Sequence, residues 1–273
     1  MALRIHHLNC GTMCPHGAPL INGHGSLLDN GHMVCHCLLI ESDDGLVLVD
    51  TGMGVEDVRH PAKRLGLGFM AAVRPVADWR ETALMQVKGL GFSPEDMRHI
   101  VVTHLDLDHA GGLGDFPDAQ VHVFEPEFQA AMNPTFRESQ RYKAHQWAHN
   151  PKWQTYRTEG ETWQGFESIR AIPGLKDEVL LVPLTGHTRG HSGVAVNTGD
   201  GWLLHCGDAY FHHNQMAERP SCPPGLEVFQ RLMAVNNADR VHNLQRLQAL
   251  AKNSTGDVQL FSAHDALELA RYQ

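Results

Sequence analysis

No apolar run in the sequence approaches the ~20 residues that a membrane-spanning helix needs, so a membrane partner is not expected. The opening residues, Met1-Ala2-Leu3-Arg4-Ile5-His6-His7, lack the apolar stretch of an export signal. Basic residues nowhere cluster, and the formal net charge of −9 disfavours nucleic acid as a partner. Repeats, low-complexity tracts and linker-like segments are missing too. The expectation is one domain over residues 1–273, built from two strand-rich halves with helices around them. Cysteine is sparse: Cys10, Cys14, Cys35, Cys37, Cys206 and Cys222. The Cys10/Cys14 and Cys35/Cys37 spacings would suit zinc or disulfides, but without an export signal reduced, buried thiols in a cytoplasmic protein are expected.

Histidine, by contrast, is abundant: 20, against 22 Lys and Arg together. A lone histidine therefore says little, and only paired, motif-like spacing carries weight. One stretch has it: Thr103-His104-Leu105-Asp106-Leu107-Asp108-His109-Ala110-Gly111-Gly112. Four metal-capable side chains occupy positions i, i+2, i+4 and i+5, behind the strand-like run Ile100-Val101-Val102-Thr103. Imidazole nitrogen with carboxylate oxygen suits a divalent ion of intermediate softness. Leu105 and Leu107 alternate with the polar positions and can point inward. The plainer reading is an exposed acidic loop at a strand end.

Along the chain, residues 3–9 read as a first strand and Cys10 to Asn30 as loop. Met33–Ile40 and Leu46–Val49 read as strands joined by a turn at Asp43-Asp44-Gly45. Asp50-Thr51-Gly52 follows, a turn or an anchor behind a metal site. Residues 55–98 read as short helices and loops, with a helix start at Ser93-Pro94. Gln120–Phe124 reads as strand and Glu125–Met132 as helix. Residues 133–165 are an irregular aromatic insertion that suits a substrate pocket or a subunit contact, which makes a homodimer possible. Val179–Leu184, Val194–Asn197, the run from Trp202 and the run from Val258 complete the strands. Glu227 to Lys252 reads as two helices broken near Asn236-Asn237.

At the ends of these expected strands stand His104, Asp106, Asp108 and His109, then His187 with His191 in Gly186-His187-Thr188-Arg189-Gly190-His191, then Asp208 after Gly207, then Ala263-His264-Asp265. Site residues commonly occupy such loops. The ordered series resembles the metallo-β-lactamase-fold hydrolase superfamily from Val47 to Asp265, with Asp50-Thr51-Gly52 matching the family's early Asp-bearing turn. The resemblance implies an α/β fold, a four-layer αββα sandwich of two mixed sheets flanked by helices. It also implies two divalent metal ions per chain. His104, Asp106 and His187 would hold the first and Asp108, His109 and His264 the second, with Asp208 bridging. His191 and Asp50 would stand behind these ligands. A water bridging two such ions is acidified to hydroxide and attacks the ester, lactone or related acyl bond of a small molecule, with Asp108 as proton shuttle.

The family's usual residue at the second motif position is His, where this chain has Asp106. Zinc is expected first, and the added negative charge, which favours harder ions, allows iron, manganese or mixed occupancy. The lactonase-like branch, which includes acyl-homoserine-lactone hydrolases, is the most similar. It places a Tyr three residues after the bridging Asp. Here Tyr210 comes two residues after it and Phe211 three, and Tyr210 is the candidate catalytic hydroxyl although a neighbouring position on an extended chain can face the other way. A second reading of the same fold is a di-iron protein handling oxygen or nitric oxide, or a sensor, towards which Asp106 leans.

Overall fold

Strands in this chain are apolar on both faces, and that property dictates layers. In a computed structural model, which describes residues 3–172, 179–254 and 256–273, six strands form one sheet in sequential order. They are β1 (Arg4–Met13), β2 (Met33–Ser42), β3 (Gly45–Val49), β4 (Met97–Val101), β5 (Gln120–Phe124) and β6 (Lys152–Tyr156). β1 to β3 run antiparallel, and β3 to β6 run parallel. After a small hairpin, β7 (Thr162–Trp163) with β8 (Phe166–Glu167), come β9 (Ile169–Arg170), β10 (Val179–Pro183), β11 (Ser192–Asn197), β12 (Trp202–His205) and β13 (Val258–Phe261). The last five make the second sheet, ordered β13-β12-β11-β10-β9, with only β12 and β13 parallel.

Side-chain alternation then sorts the core into three apolar layers. Leu38, Ile40, Val47 and Val49 of the first sheet meet Val179, Leu181, Val194 and Val196 of the second. The opposite positions, Leu39, Leu48, Ile100 and Val121, pack outward under the helices of the first half, including Ala83 and Val87. On the far side Leu180, Val182, Ala195 and Leu204 lie under Leu247 and Leu250 of the helix Asn237–Asn253. The arrangement is the four-layer αββα sandwich with two mixed sheets.

Most local expectations hold. Short helices occupy Val55–Arg59, Pro61–Arg64, Leu67–Val73 and Ala83–Gly89. The helices Pro224–Met233 and Asn237–Asn253 break where Asn236 accepts hydrogen bonds from the N–H groups of Ala238 and Asp239 and caps the second. Two readings change. β1 continues through Cys10 to Met13, past a bulge between Asn9 and Thr12 that Gly11 permits with φ 148°. The insertion 133–165 contributes β6, an edge strand parallel to β5. All six cysteines are free thiols, with Cys10, Cys35, Cys37 and Cys206 buried. No helix among the described residues is long and apolar enough to cross a membrane.

Candidate metal centre

The sheets deliver their polar residues to one edge. β3 leads directly into Asp50, which takes a left-handed backbone with φ 55°, a conformation Asp tolerates better than most residues. This turn lets its carboxylate accept from the Thr103 N–H and hydroxyl, both at 2.7 Å, and from His109 Nδ1 at 2.8 Å. Burial pushes the Asp50 carboxyl up, but the neighbouring His109 ring outweighs it and holds the group down at about 2. β4 leads into Thr103 and His104, and the short helix Leu107–Ala110 carries Asp108 and His109. β12 leads to Gly207 and Asp208, and β13 to His264.

Hydrogen bonds orient most of these rings, although His187 Nδ1 is buried without a partner. His264 Nδ1 lies 2.7 Å from the Val34 carbonyl, which can only accept, so Nδ1 carries the proton and the Nε2 lone pair faces the cleft. His109 is fixed in the same way by Asp50. His104 Nδ1 lies 3.0 Å from the Thr103 hydroxyl oxygen, whose own proton goes to Asp50. His191 stands behind the cleft, its Nδ1 donating to the Leu184 carbonyl at 2.9 Å and its Nε2 accepting from the Asp208 N–H at 2.8 Å. Burial holds the His191 ring well below its ordinary value, neutral as that pairing requires. Gly207 is needed here: with φ 52°, a Cβ would come within 2.6 Å of His191 Nε2.

The lone pairs converge in two groups. His104 Nε2 is 3.4 Å from Asp106 Oδ2 and 3.8 Å from Asp208 Oδ2, and His187 Nε2 is 3.1 Å and 3.3 Å from the same two oxygens. His109 Nε2 and His264 Nε2 lie 3.1 Å and 3.0 Å from Asp208 Oδ1 and 3.3 Å from each other, with Asp108 Oδ2 3.7 Å from His264. Asp208 therefore turns one oxygen to each group. His104 Nε2, Asp106 Oδ1 and Asp208 Oδ1 are buried without a hydrogen-bond partner. Unpaired buried acceptors facing one another are costly unless a cation lies between them, so this donor set fits metal ions. All seven sequence candidates meet here.

Tyr210 does not join them, and its assignment as the catalytic hydroxyl is corrected. Its side chain turns to the outer face of the second sheet and donates to Glu268 Oε1 and Oε2, both at 3.0 Å. Phe211, one residue on, faces the cleft and stacks on His264 with centroids 5.1 Å apart. Past β12 the chain runs through a turn and bends at 207–211, so strand alternation does not apply there, and the outer core claimed Tyr210.

Two important residues were not found from sequence. Arg141, in the aromatic insertion, donates through Nη2 to Asp106 Oδ2 at 2.7 Å. Burial works against its charge, but Asp106 raises it further above the ordinary guanidinium value. An acid at the second motif position was the available signal that a cation must be near. Glu127 of the helix Glu125–Met132 is fully buried, accepting from Leu105 N–H, Tyr142 hydroxyl, Thr188 hydroxyl and Gly190 N–H at 2.9, 3.0, 2.6 and 3.1 Å. It ties the His104 loop to the His187 loop, and no sequence pattern marked it.

The cleft opens into a cavity of about 670 Å³ whose walls include Met33, Phe69, Phe211, Phe229 and Met233. Leu67, Phe136 and Leu232 stand exposed on its rim.

A four-layer sandwich with a His/Asp cluster at one edge defines a metal-dependent hydrolase scaffold, and this chain belongs to the metallo-beta-lactamase superfamily, whose family model matches residues 30–250. Within it, the chain is 42% identical to a protein of Mycobacterium bovis named as a probable metallo-hydrolase, over 96% of this chain and 80% of that one. It is 30% identical to an N-acyl homoserine lactonase of a Bacillus species, over 64% of this chain and 61% of the lactonase. Its fold is similar to the crystal structure of a Bacillus thuringiensis protein with N-decanoyl-L-homoserine bound at the active site, with a TM-score of 0.75 at 19% identity, covering 100% and 98% of the two chains.

Proposed function

We propose that the chain is a two-metal hydrolase that opens an ester, lactone or related acyl bond in a small molecule with a substantial apolar part. The observation that carries this reading is Asp208, whose two oxygens face separate donor groups at the floor of an apolar cavity. His104, Asp106 and His187 would hold one ion with Asp208 Oδ2, and Asp108, His109 and His264 the other with Oδ1. Zinc suits this mixed nitrogen and oxygen set, and three carboxylates also admit iron or manganese. Such a pair, when bound, supplies hydroxide from water near neutral pH and polarises a carbonyl.

The chain's own residues supply binding and proton handling. Asp108 has the most open carboxylate of the three, with 12% of its side chain exposed. It takes a proton from the attacking water and returns it to the leaving alkoxide. Phe211 covers His264 and keeps bulk water from that side. Phe229 and Met233 give an acyl chain an apolar wall, each buried methylene contributing about 0.8 kcal/mol. Similarity to N-acyl homoserine lactonases makes lactones the first class to assay. Metal-loaded protein run against lactones, thioesters, phosphodiesters and β-lactams should turn over lactones fastest, with kcat/KM rising as the acyl chain lengthens. Fastest turnover of a phosphodiester, or no effect of chain length, contradicts the proposal.

A further inference from the structure

The two donor groups differ in one respect. Arg141, only 7% exposed, reaches the first group and not the second. Its Nη2 lies 2.7 Å from Asp106 Oδ2 and 2.9 Å from His187 Nε2, while Nη1 donates to the carbonyls of His187 at 2.9 Å and Met233 at 3.2 Å. Among the described residues no Lys or Arg forms an ion pair with Asp108 or Asp208.

An imidazole Nε2 has one lone pair. A guanidinium N–H that shares the His187 lone pair competes with a metal for it, and Arg cannot lose its proton to make way. The same cation stands beside Asp106 and offsets the negative charge by which this chain departs from a His at that position. Nη2 on Asp106 and His187, with Nη1 on two carbonyls, makes Arg141 a fixture and not a passing surface charge.

We propose that Arg141 is a built-in cation that competes with the first metal, so the two halves bind metal with unequal affinity and the His104–Asp106–His187 half is the weaker and more exchangeable. Asp106 then acts as the guanidinium's anchor as much as a ligand, and the preference for harder ions expected from an added carboxylate is blunted. Arg141 is a positioning residue, acting through Asp106 and His187. The inference rests on the two-metal reading.

Zinc binding measured by competition with a chromophoric chelator tests it on wild type, Arg141→Met, Arg141→Gln and Asp106→His, with folding checked by circular dichroism. Wild type should show two equivalents on the order of tenfold or more apart in affinity. In Arg141→Met the weaker equivalent should tighten by about tenfold, a cation at contact range having been removed, while the tighter one stays put. Asp106→His, which takes away the guanidinium's anionic anchor but also changes a ligand, should narrow the gap as well, and Arg141→Gln, which removes the charge alone, decides the matter if Arg141→Met does not fold. Two equal equivalents in wild type, or a weaker equivalent unchanged or lost in the folded Arg141 variants, overturn the inference and leave the two-metal reading standing. Failure to bind zinc at either half overturns both.

Discussion

Asp208 and Tyr210 leave the same strand end two residues apart, and the regions they enter are opposites. Around Asp208, His104 Nε2 and Asp208 Oδ1 are buried without a hydrogen-bond partner, and the outer nitrogens of His109 and His264 are the ones that are tied down. Around Tyr210, every interaction is closed: the hydroxyl meets Glu268, and Glu268 also accepts from the Ser262 N–H at 2.7 Å. Both regions hold buried carboxylates among aromatic rings. What separates them is satisfaction. A buried polar group with its partners in place maintains the fold, while a set of buried lone pairs left facing one another is arranged for a ligand.

That contrast makes separable predictions. The largest concerns Glu268, whose carboxyl burial raises to about 7 from an ordinary 4.5, against the pull of the Ser262 N–H. Between those values the folded protein holds a proton that the unfolded chain has released. Stability is therefore greatest below about pH 4.5 as far as this group is concerned, and it falls as pH rises through about 7. Glu268→Gln mimics the protonated form, so it should add up to about 3 kcal/mol at pH 8 and nothing at acid pH. Denaturant melts at both pH values check this, and zinc affinity should not change. A variant that altered metal binding would mean that the two regions are not independent.

Asp50→Asn should do the reverse. The carboxylate behind His109 sets that ring's orientation, so its loss should weaken zinc in the His109 half by about 10- to 100-fold. The other half should weaken much less, because it meets Asp50 only indirectly, through the Thr103 hydroxyl beside His104. Chelator titration reads the two equivalents separately, and equal weakening of both would break the comparison. Thr103 loses its acceptor as well, so a modest stability loss of about 1 kcal/mol accompanies the change.

Much of the metal cleft was legible because its residues follow strands whose apolar runs are unmistakable, and because His and Asp at paired spacings have few other uses after a strand. The early Asp50 turn was legible for the same reason. Arg141 and Glu127 were not. They come from an irregular insertion and from the first turn of a helix, where an Arg or a Glu ordinarily faces solvent, and only tertiary packing turns them inward. Tyr210 shows the limit of position counting: past β12 the chain turns and bends, spacing from Asp208 no longer says which side chain faces the cleft, and the outer core with its Glu268 acceptor decided it. β6 was hidden in the same insertion because its pairing partner, β5, lies about thirty residues earlier and nothing local announces a parallel edge strand.

The central claim is that one carboxylate joins two metal positions, and Asp208→Ala tests it most directly. Titrated to saturation with zinc, wild type should take up about two equivalents per chain, and the variant should bind both more weakly, with hydrolysis lost alongside. Loss of a single equivalent, with the other bound as tightly as before, would show that Asp208 belongs to one half alone and would contradict the account.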